Sequence, residues 1–272
     1  MVKSLRQEAI VDEVMRRGLV SVTALAERLR VSEVTIRRDL DELDRAGRVQ
    51  RVRSGAQRPV SRQPEPSAIQ RQLVQPDEKR AIGLVGASLV NDGDVIGLHL
   101  GTTVLELARA LAARPAAPPW HHLQVITNGL GILDALVHVP GVEILLVGGV
   151  VHRDEMGTLG LITQETMARL HIDKLFIGCR GFDSRIGTTH DLDVESAVGT
   201  ERAFVAAARQ VIVLADHTKF GQVYPLQSIP IAEVDTVITD DLTPEPVLAE
   251  LAEQDIKVIV AKRGNPWPGQ NG

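Results

Sequence analysis

Val31-Ser32-Glu33-Val34-Thr35-Ile36-Arg37-Arg38-Asp39-Leu40 opens with a serine able to cap a helix and continues, through Leu43, with apolar residues at helical spacing. Gly47 marks the end of that helix. With Ile36 set inward and roughly 100° per residue, Val34, Arg38, Asp41 and Arg45 fall on the opposite face, flanked by Thr35 and Arg37. Arg37 and Arg38 then sit near the helix start, with Ser32 beside them. A recognition helix meets base edges there: arginine pairs with guanine or phosphate, Thr35 reaches either, and an outward Val34 packs on a thymine methyl.

Working outward, Leu5, Ala9, Ile10 and Val14 predict a helix from Lys3 to Arg17, stopped by Gly18. Ser21 caps a short second helix whose Val22, Leu25 and Leu29 share a face. Three helices with a tight connection at Arg30-Val31 describe a helix-turn-helix. Beyond Gly47, Arg48-Val49-Gln50-Arg51-Val52-Arg53 alternates polar and apolar into Ser54-Gly55, which reads as a β-hairpin wing with Arg51 and Arg53 facing phosphates. A basic helical protein-interaction module is the competing reading of these residues.

At 272 residues the chain fits a small domain joined to a medium one. Residues 1–58 carry a net charge of +4 and the remainder −9, so the overall −5 conceals a basic head on an acidic body. The single Cys179 rules out an intrachain disulfide and reads as a core thiol. There is no apolar leader after Met1 and no run long enough to span a membrane, so a cytoplasmic protein without membrane contact is expected.

Domain boundaries are expected at 1–58 for the winged helix-turn-helix, 59–76 for a linker punctuated by Pro59, Pro64, Pro66 and Pro76, and 77–272 for an α/β domain. After a helix from Asp77 to Val90, strands are expected at Val95–Leu100, Leu123–Thr127, Val142–Val147, Lys174–Cys179, Val211–Ala215, Thr236–Thr239 and Lys257–Val260. Their alternation with amphipathic helices implies a mostly parallel sheet covered on both faces.

In such sheets ligands bind at the carboxyl ends of strands. Gly101-Thr102-Thr103 follows the first strand and opens a helix, where free N–H groups and two hydroxyls can hold a phosphate. Asn128 in Thr127-Asn128-Gly129 can donate and accept, and Gly148-Gly149 lets backbone approach a ligand. Lys219 can neutralise an anion, and Asp191 and Glu195 can accept from sugar hydroxyls. Metal binding by His121-His122 or His190-Asp191-Asp193 is disfavoured, because adjacent residues on a strand point to opposite faces. No metal or cofactor is expected.

The run 31–40 with Leu43, Gly47 and Arg51-Val52 resembles the N-terminal signature of the DeoR family of bacterial repressors. Gly101-Thr102-Thr103, Thr127-Asn128, Gly148-Gly149, Phe176-Ile177-Gly178, Glu195, Ala215-Asp216 with Lys219-Phe220-Gly221, and Thr239-Asp240 resemble, in order, that family's C-terminal sensor domain. The resemblance implies a sheet related to ribose-5-phosphate isomerase and the CoA transferases, and a phosphorylated sugar as effector. It also implies double-stranded operator DNA as partner, a homodimer or homotetramer, and repression of a carbohydrate-utilisation operon rather than catalysis. An isomerase-like enzyme carrying a DNA-binding domain is the alternative. Two departures stand out. Arg53-Ser54-Gly55-Ala56 replaces the family's His-Gly-Gly-Ala at the wing, and His99-Leu100 replaces an Asp and a small residue before Gly-Thr-Thr, which makes His99 a candidate effector contact.

Overall fold

The computed structural model describes residues 3–45, 48–52, 54–57, 66–114, 120–191 and 195–264, excepting the side chains of 4, 15–17, 195 and 196. They form two compact units, Met1–Glu65 and Pro66–Gly272. In the first, α1 (Lys3–Arg17) ends at Gly18, whose N–H still donates to the Val14 carbonyl at 2.9 Å and whose φ of +78° turns the chain out of the helix. A short strand β1 (Leu19–Ser21) follows, then α2 (Val22–Leu29), where the Ser21 hydroxyl accepts from Ala24 N at 3.1 Å. Arg30, left-handed at φ +53°, turns the chain. The Ser32 hydroxyl accepts from Thr35 N at 3.2 Å and caps α3 (Glu33–Arg45).

The wing hairpin is β2 (Gln50–Val52) and β3 (Gly55–Gln57), and β1 pairs with it in the order β1-β3-β2. Gly55 is required there: a Cβ would lie 2.0 Å from the Val20 carbonyl oxygen. Ile10, Val14, Leu25, Ile36, Leu40 and Leu43 fill the core of this unit. Burying such side chains contributes roughly 1.5–3 kcal/mol each, so the interhelical core rather than helix propensity holds the short α2 in place.

The second unit begins at Pro66, so the tether expected over 59–76 gives way to structure well before its end. Ser67 and Gln70 form a capping box on α4 (Ala68–Gln72), and Ala68 N donates to the Asp154 carbonyl at 2.6 Å. Pro76 is the first residue of α5 (Pro76–Ser88), a position where its missing N–H costs nothing.

Strands β4 (Val95–Leu98), β5 (Leu123–Thr127), β6 (Val142–Leu146), β9 (Ile172–Gly178), β12 (Ala208–Leu214), β14 (Thr236–Asp240) and β15 (Lys257–Ala261) form one sheet in the order β15-β14-β12-β9-β4-β5-β6. Every neighbouring pair is parallel. Helices α6 (Thr102–Ala112), α7 (Leu130–Leu136), α8 (Leu161–Met167), α9 (Glu195–Ala207) and α10 (Glu245–Ala252) alternate with these strands. Two apolar clusters, one around Leu107, Leu111 and Phe176 and one around Ile177, Phe204 and Val213, bury its faces.

Short antiparallel strands lie outside the periodic pattern: β7 (Val150–His152) with β8 (Gly157–Leu159), and β10 (Gly181–Asp183) with β11 (Gly187–His190) and β13 (Leu226–Pro230). The chain builds from β4 outward to β6, then crosses back to place β9 on β4's other side. The switch point, where α/β sheets open a crevice, therefore lies beyond the carboxyl ends of β4 and β9.

Candidate nucleic-acid interface and effector site

On α3, Ile36, Leu40 and Leu43 point inward while Val34, 61% exposed, Arg37 and Arg38 point out. Thr35 is half-buried, and its hydroxyl lies 2.9 Å from that of Ser32. Arg37 pairs with Glu33 one turn back at 3.0 Å, and Glu33 accepts from the Thr23 hydroxyl of α2 at 2.8 Å. Arg38 has no ion-pair partner among the described residues. The outward face at the start of α3 thus presents an apolar side chain, Val34, beside two arginines, of which Arg37 is held by Glu33.

Asp39, adjacent to Arg38, does the opposite work. It is buried, and both its oxygens accept from Arg6 of α1, at 2.5 and 3.2 Å. This pair pins α3 to α1. The wing arginine Arg51 departs from expectation. Its guanidinium turns to Asp41 of α3 at 3.2 Å, and its N–H donates to the Asp44 carboxylate at 2.8 Å, because α3 offers the wing a row of carboxylates. Arg53 lies outside the described residues.

In the second unit, Gly101 precedes α6 at φ +152°, a conformation that essentially only glycine adopts, and leaves the first amides of α6 uncapped by any side chain. Gly101 and Thr102, half-buried, line a cavity of about 200 Å³ walled by Ile69 and Gln72 of α4, Leu105 and Arg109 of α6, Gly129 and Glu155. Thr103 is buried in the first turn and does not line it.

Asn128 is fully buried and its amide is spent on backbone: Oδ1 accepts from Leu100 N and Nδ2 donates to the Thr158 carbonyl, both at 2.9 Å. It ties the Gly101 loop to β8 instead of facing a ligand. Gly149 is likewise dictated by packing, since a Cβ would meet the Thr163 hydroxyl at 2.2 Å, whereas Gly148 has open space around it.

The remaining candidates gather on the β9 and β12 side. Asp216 caps the turn His217–Lys219, accepting from Thr218 N at 3.1 Å, and Lys219 Nζ lies 4.0 Å from its other oxygen. Asp191 faces Arg180 at 3.5 Å. Glu195 begins α9, but its side chain lies outside the described residues. His99 is 2% exposed, stacks edge-on to Phe204 with ring centroids 5.2 Å apart, and has an unpartnered Nε2. Burial lowers its pKa, against the opposing field of Glu201.

Two buried charges escaped the sequence reading. Lys79 of α5 donates to the carbonyls of Arg71 and of Val74, the latter at 2.6 Å, and so holds the far end of α4. Burial lowers its pKa to about 8, with Asp216 opposing the shift and Lys219 adding to it. Glu201 of α9 accepts from Ser228 and pairs with His190 at 2.9 Å. Burial pushes its carboxyl up, yet His190, His99 and Ser228 outweigh that and hold it below the usual range. Both occupy inward positions of amphipathic helices, Lys79 three residues before Ile82 and Glu201 three before Phe204, and that placement was the available signal.

Cys179 is half-buried against the margin of the second apolar cluster rather than in the core, and desolvation pushes its thiol up to about 12. His121 and His122 are exposed, with their amides donating to Asp92 at 2.8 and 3.0 Å, and among the described residues no cluster of three potential metal ligands occurs. No described helix is long and apolar enough to cross a membrane.

Residues 6–62 match the family model of the DeoR-like helix-turn-helix domain, and residues 74–241 that of the DeoR C-terminal sensor domain. The chain is 35% identical over 262 residues to the uncharacterized HTH-type transcriptional regulator YgbI of Escherichia coli K12, covering 96% of this chain and 99% of that protein. It is 30% identical over 258 residues to the glycerol-3-phosphate regulon repressor of the same organism, covering 95% and 99%. Among solved structures, ribose 5-phosphate isomerase A of Methanocaldococcus jannaschii aligns at a TM-score of 0.39 and 17% identity over 53% of this chain and 54% of that one.

Proposed function

The chain belongs to the DeoR family of helix-turn-helix regulators, and from that premise we propose that it represses a carbohydrate-utilisation operon until a phosphorylated sugar intermediate releases it. The observation that carries the reading is the outward face of α3, where Val34, Arg37 and Arg38 stand exposed on a rigid three-helix core. In this reading Arg37 and Arg38 take base edges or phosphates, Ser32 and Thr35 take polar groups beside them, and Val34 takes a thymine methyl. Arg51 exchanges Asp41 for a phosphate, and Arg53 reaches the backbone from the wing tip.

The effector's phosphate meets the free amides of Gly101, Thr102 and Thr103 at the start of α6, with Lys219 as counter-charge and Asp191 and Glu195 as acceptors for hydroxyls. Gly148 lies open at a neighbouring loop. Asn128 and Gly149 hold the loops in shape. His99 sets the wall behind the site, where a family carboxylate is replaced by a neutral ring. A relative named for the glycerol-3-phosphate regulon supports a small phosphorylated metabolite as the class. In this reading the domain acts as a sensor rather than a catalyst, as the match to the family's sensor-domain model supports. One winged helix covers one half-site, so a homodimer or homotetramer brings two heads to the operator.

Electrophoretic shift of the DNA upstream of the protein's own gene cluster, with and without a panel of sugar phosphates, tests this. A specific shift released by one compound is expected. A shift that no sugar phosphate releases removes the effector assignment, and no shift at all removes the repressor reading.

A further inference from the structure

Beyond the cavity, the second unit leaves a band of large apolar side chains in solvent. Val150 and Val151 of β7 are 70% and 57% exposed, Leu161 and Ile162 at the start of α8 are 67% and 60%, and Ile69 and Leu73 of α4 are 64% and 79%. These are joined in space. Leu161 follows β8 after the single residue Gly160, the β8 residue Leu159 is the register partner of Val150, and the Thr163 hydroxyl donates to the Gly148 carbonyl just before β7. The turn after β7 holds α4 through Ala68 N on the Asp154 carbonyl and Arg71 on Glu155. The largest apolar patch on a monomer's surface is about 300–600 Å² and is often functional.

We infer that this band is where a second copy of the chain docks, with the β7 edges of the two copies facing each other across a two-fold axis. The inference rests on the two-headed repressor reading. Three features select a second copy as the occupant. At about 100 Å² for a wholly exposed aliphatic side chain, the six present on the order of 400 Å² of apolar area. One side of a standard interface buries about 800 Å², roughly 60% of it apolar, so the band is of dimer size. β7 pairs only with β8 among the described residues, and a free strand edge is a template that an identical edge satisfies when antiparallel about a two-fold. Lastly, one chain carries one reading head, and a symmetric partner supplies the other. Ile69 belongs to both the cavity wall and the band, so a ligand that displaces α4 alters the surface offered to the partner.

Sedimentation of the full chain across the micromolar range tests the inference, comparing wild type with the double variant Val151→Asp, Leu161→Asp and with Leu242→Asp, an exposed leucine outside the band. Wild type and Leu242→Asp are expected at no less than dimer mass and the double variant at half the wild-type mass, with an unchanged circular dichroism melt. A double variant that keeps the wild-type mass overturns the docking surface and leaves the two-headed reading standing. A wild type that sediments as a monomer throughout overturns both. Should the double variant melt early, Val150→Lys alone, on the more exposed of the two β7 valines, replaces it under the same criteria.

Discussion

Arg38 and Asp39 are neighbours in the chain and opposites in role. Arg38 projects into solvent, so Arg38→Ala is expected to weaken operator binding by about 1–3 kcal/mol, five- to more than a hundredfold, with no change in melting temperature. Asp39 is buried against Arg6, and Asp39→Ala strands that guanidinium, costing on the order of 2 kcal/mol of first-unit stability in a urea titration. Both positions were legible as parts of one motif, yet only the period separates them, since 39 falls on the inward stripe with 36, 40 and 43. His99 yields a pH prediction. Burial holds it neutral in the folded state while the unfolded chain takes up a proton near pH 6.5, so below that pH the unfolded state binds more protons and stability falls. His99→Phe is expected to flatten part of that loss in urea midpoints measured at pH 7 and pH 5. An equal slope in both proteins would assign the acid sensitivity elsewhere.

At the scale of elements, the seven sheet strands were readable because each is an apolar run, as a parallel strand buried on both faces must be. β7, β8, β10, β11 and β13 were not, because three to five residues give a period of two no room to repeat. α4 was hidden differently: its glutamines and flanking prolines read as a tether, and its helix is held by side chains outside it, Glu155 on Arg71 and Lys79 on the Arg71 and Val74 carbonyls. Lys79→Met leaves those carbonyls without their buried donor, and faster amide exchange over residues 68–74 is expected, with β4 and β9 unaffected. Lys79 also sets a pH window. Its folded pKa of about 8 lies below the ordinary lysine value of 10.5, so between them the unfolded state binds more protons and wild-type stability rises with pH. Lys79→Met is expected to lose that rise, as seen in melting temperatures taken across the window.

At the scale of the whole molecule, the charge asymmetry between residues 1–58 and the remainder was visible in the sequence without assigning either part a role, and the chain divides into compact units between Glu65 and Pro66. Strand order was not visible, since the crossover that puts β9 beside β4 is decided by packing between segments far apart in the chain. That crossover brings the segments that follow β4 and β12, with the Gly101 loop on one and Asp216 and Lys219 on the other, to the same end of the sheet. Under the proposed function, effector and operator are linked equilibria: if each prefers a different arrangement of the two heads, each weakens the other by the same factor. The measurement that tests this account most directly is fluorescence anisotropy of the upstream DNA against random duplex at fixed salt, with wild type and Arg38→Ala. The account predicts that wild type prefers its own upstream DNA by at least about a thousandfold and that Arg38→Ala loses most of that preference while both units stay folded. Wild type that binds both duplexes equally, or an Arg38→Ala that discriminates as well as wild type, would contradict it.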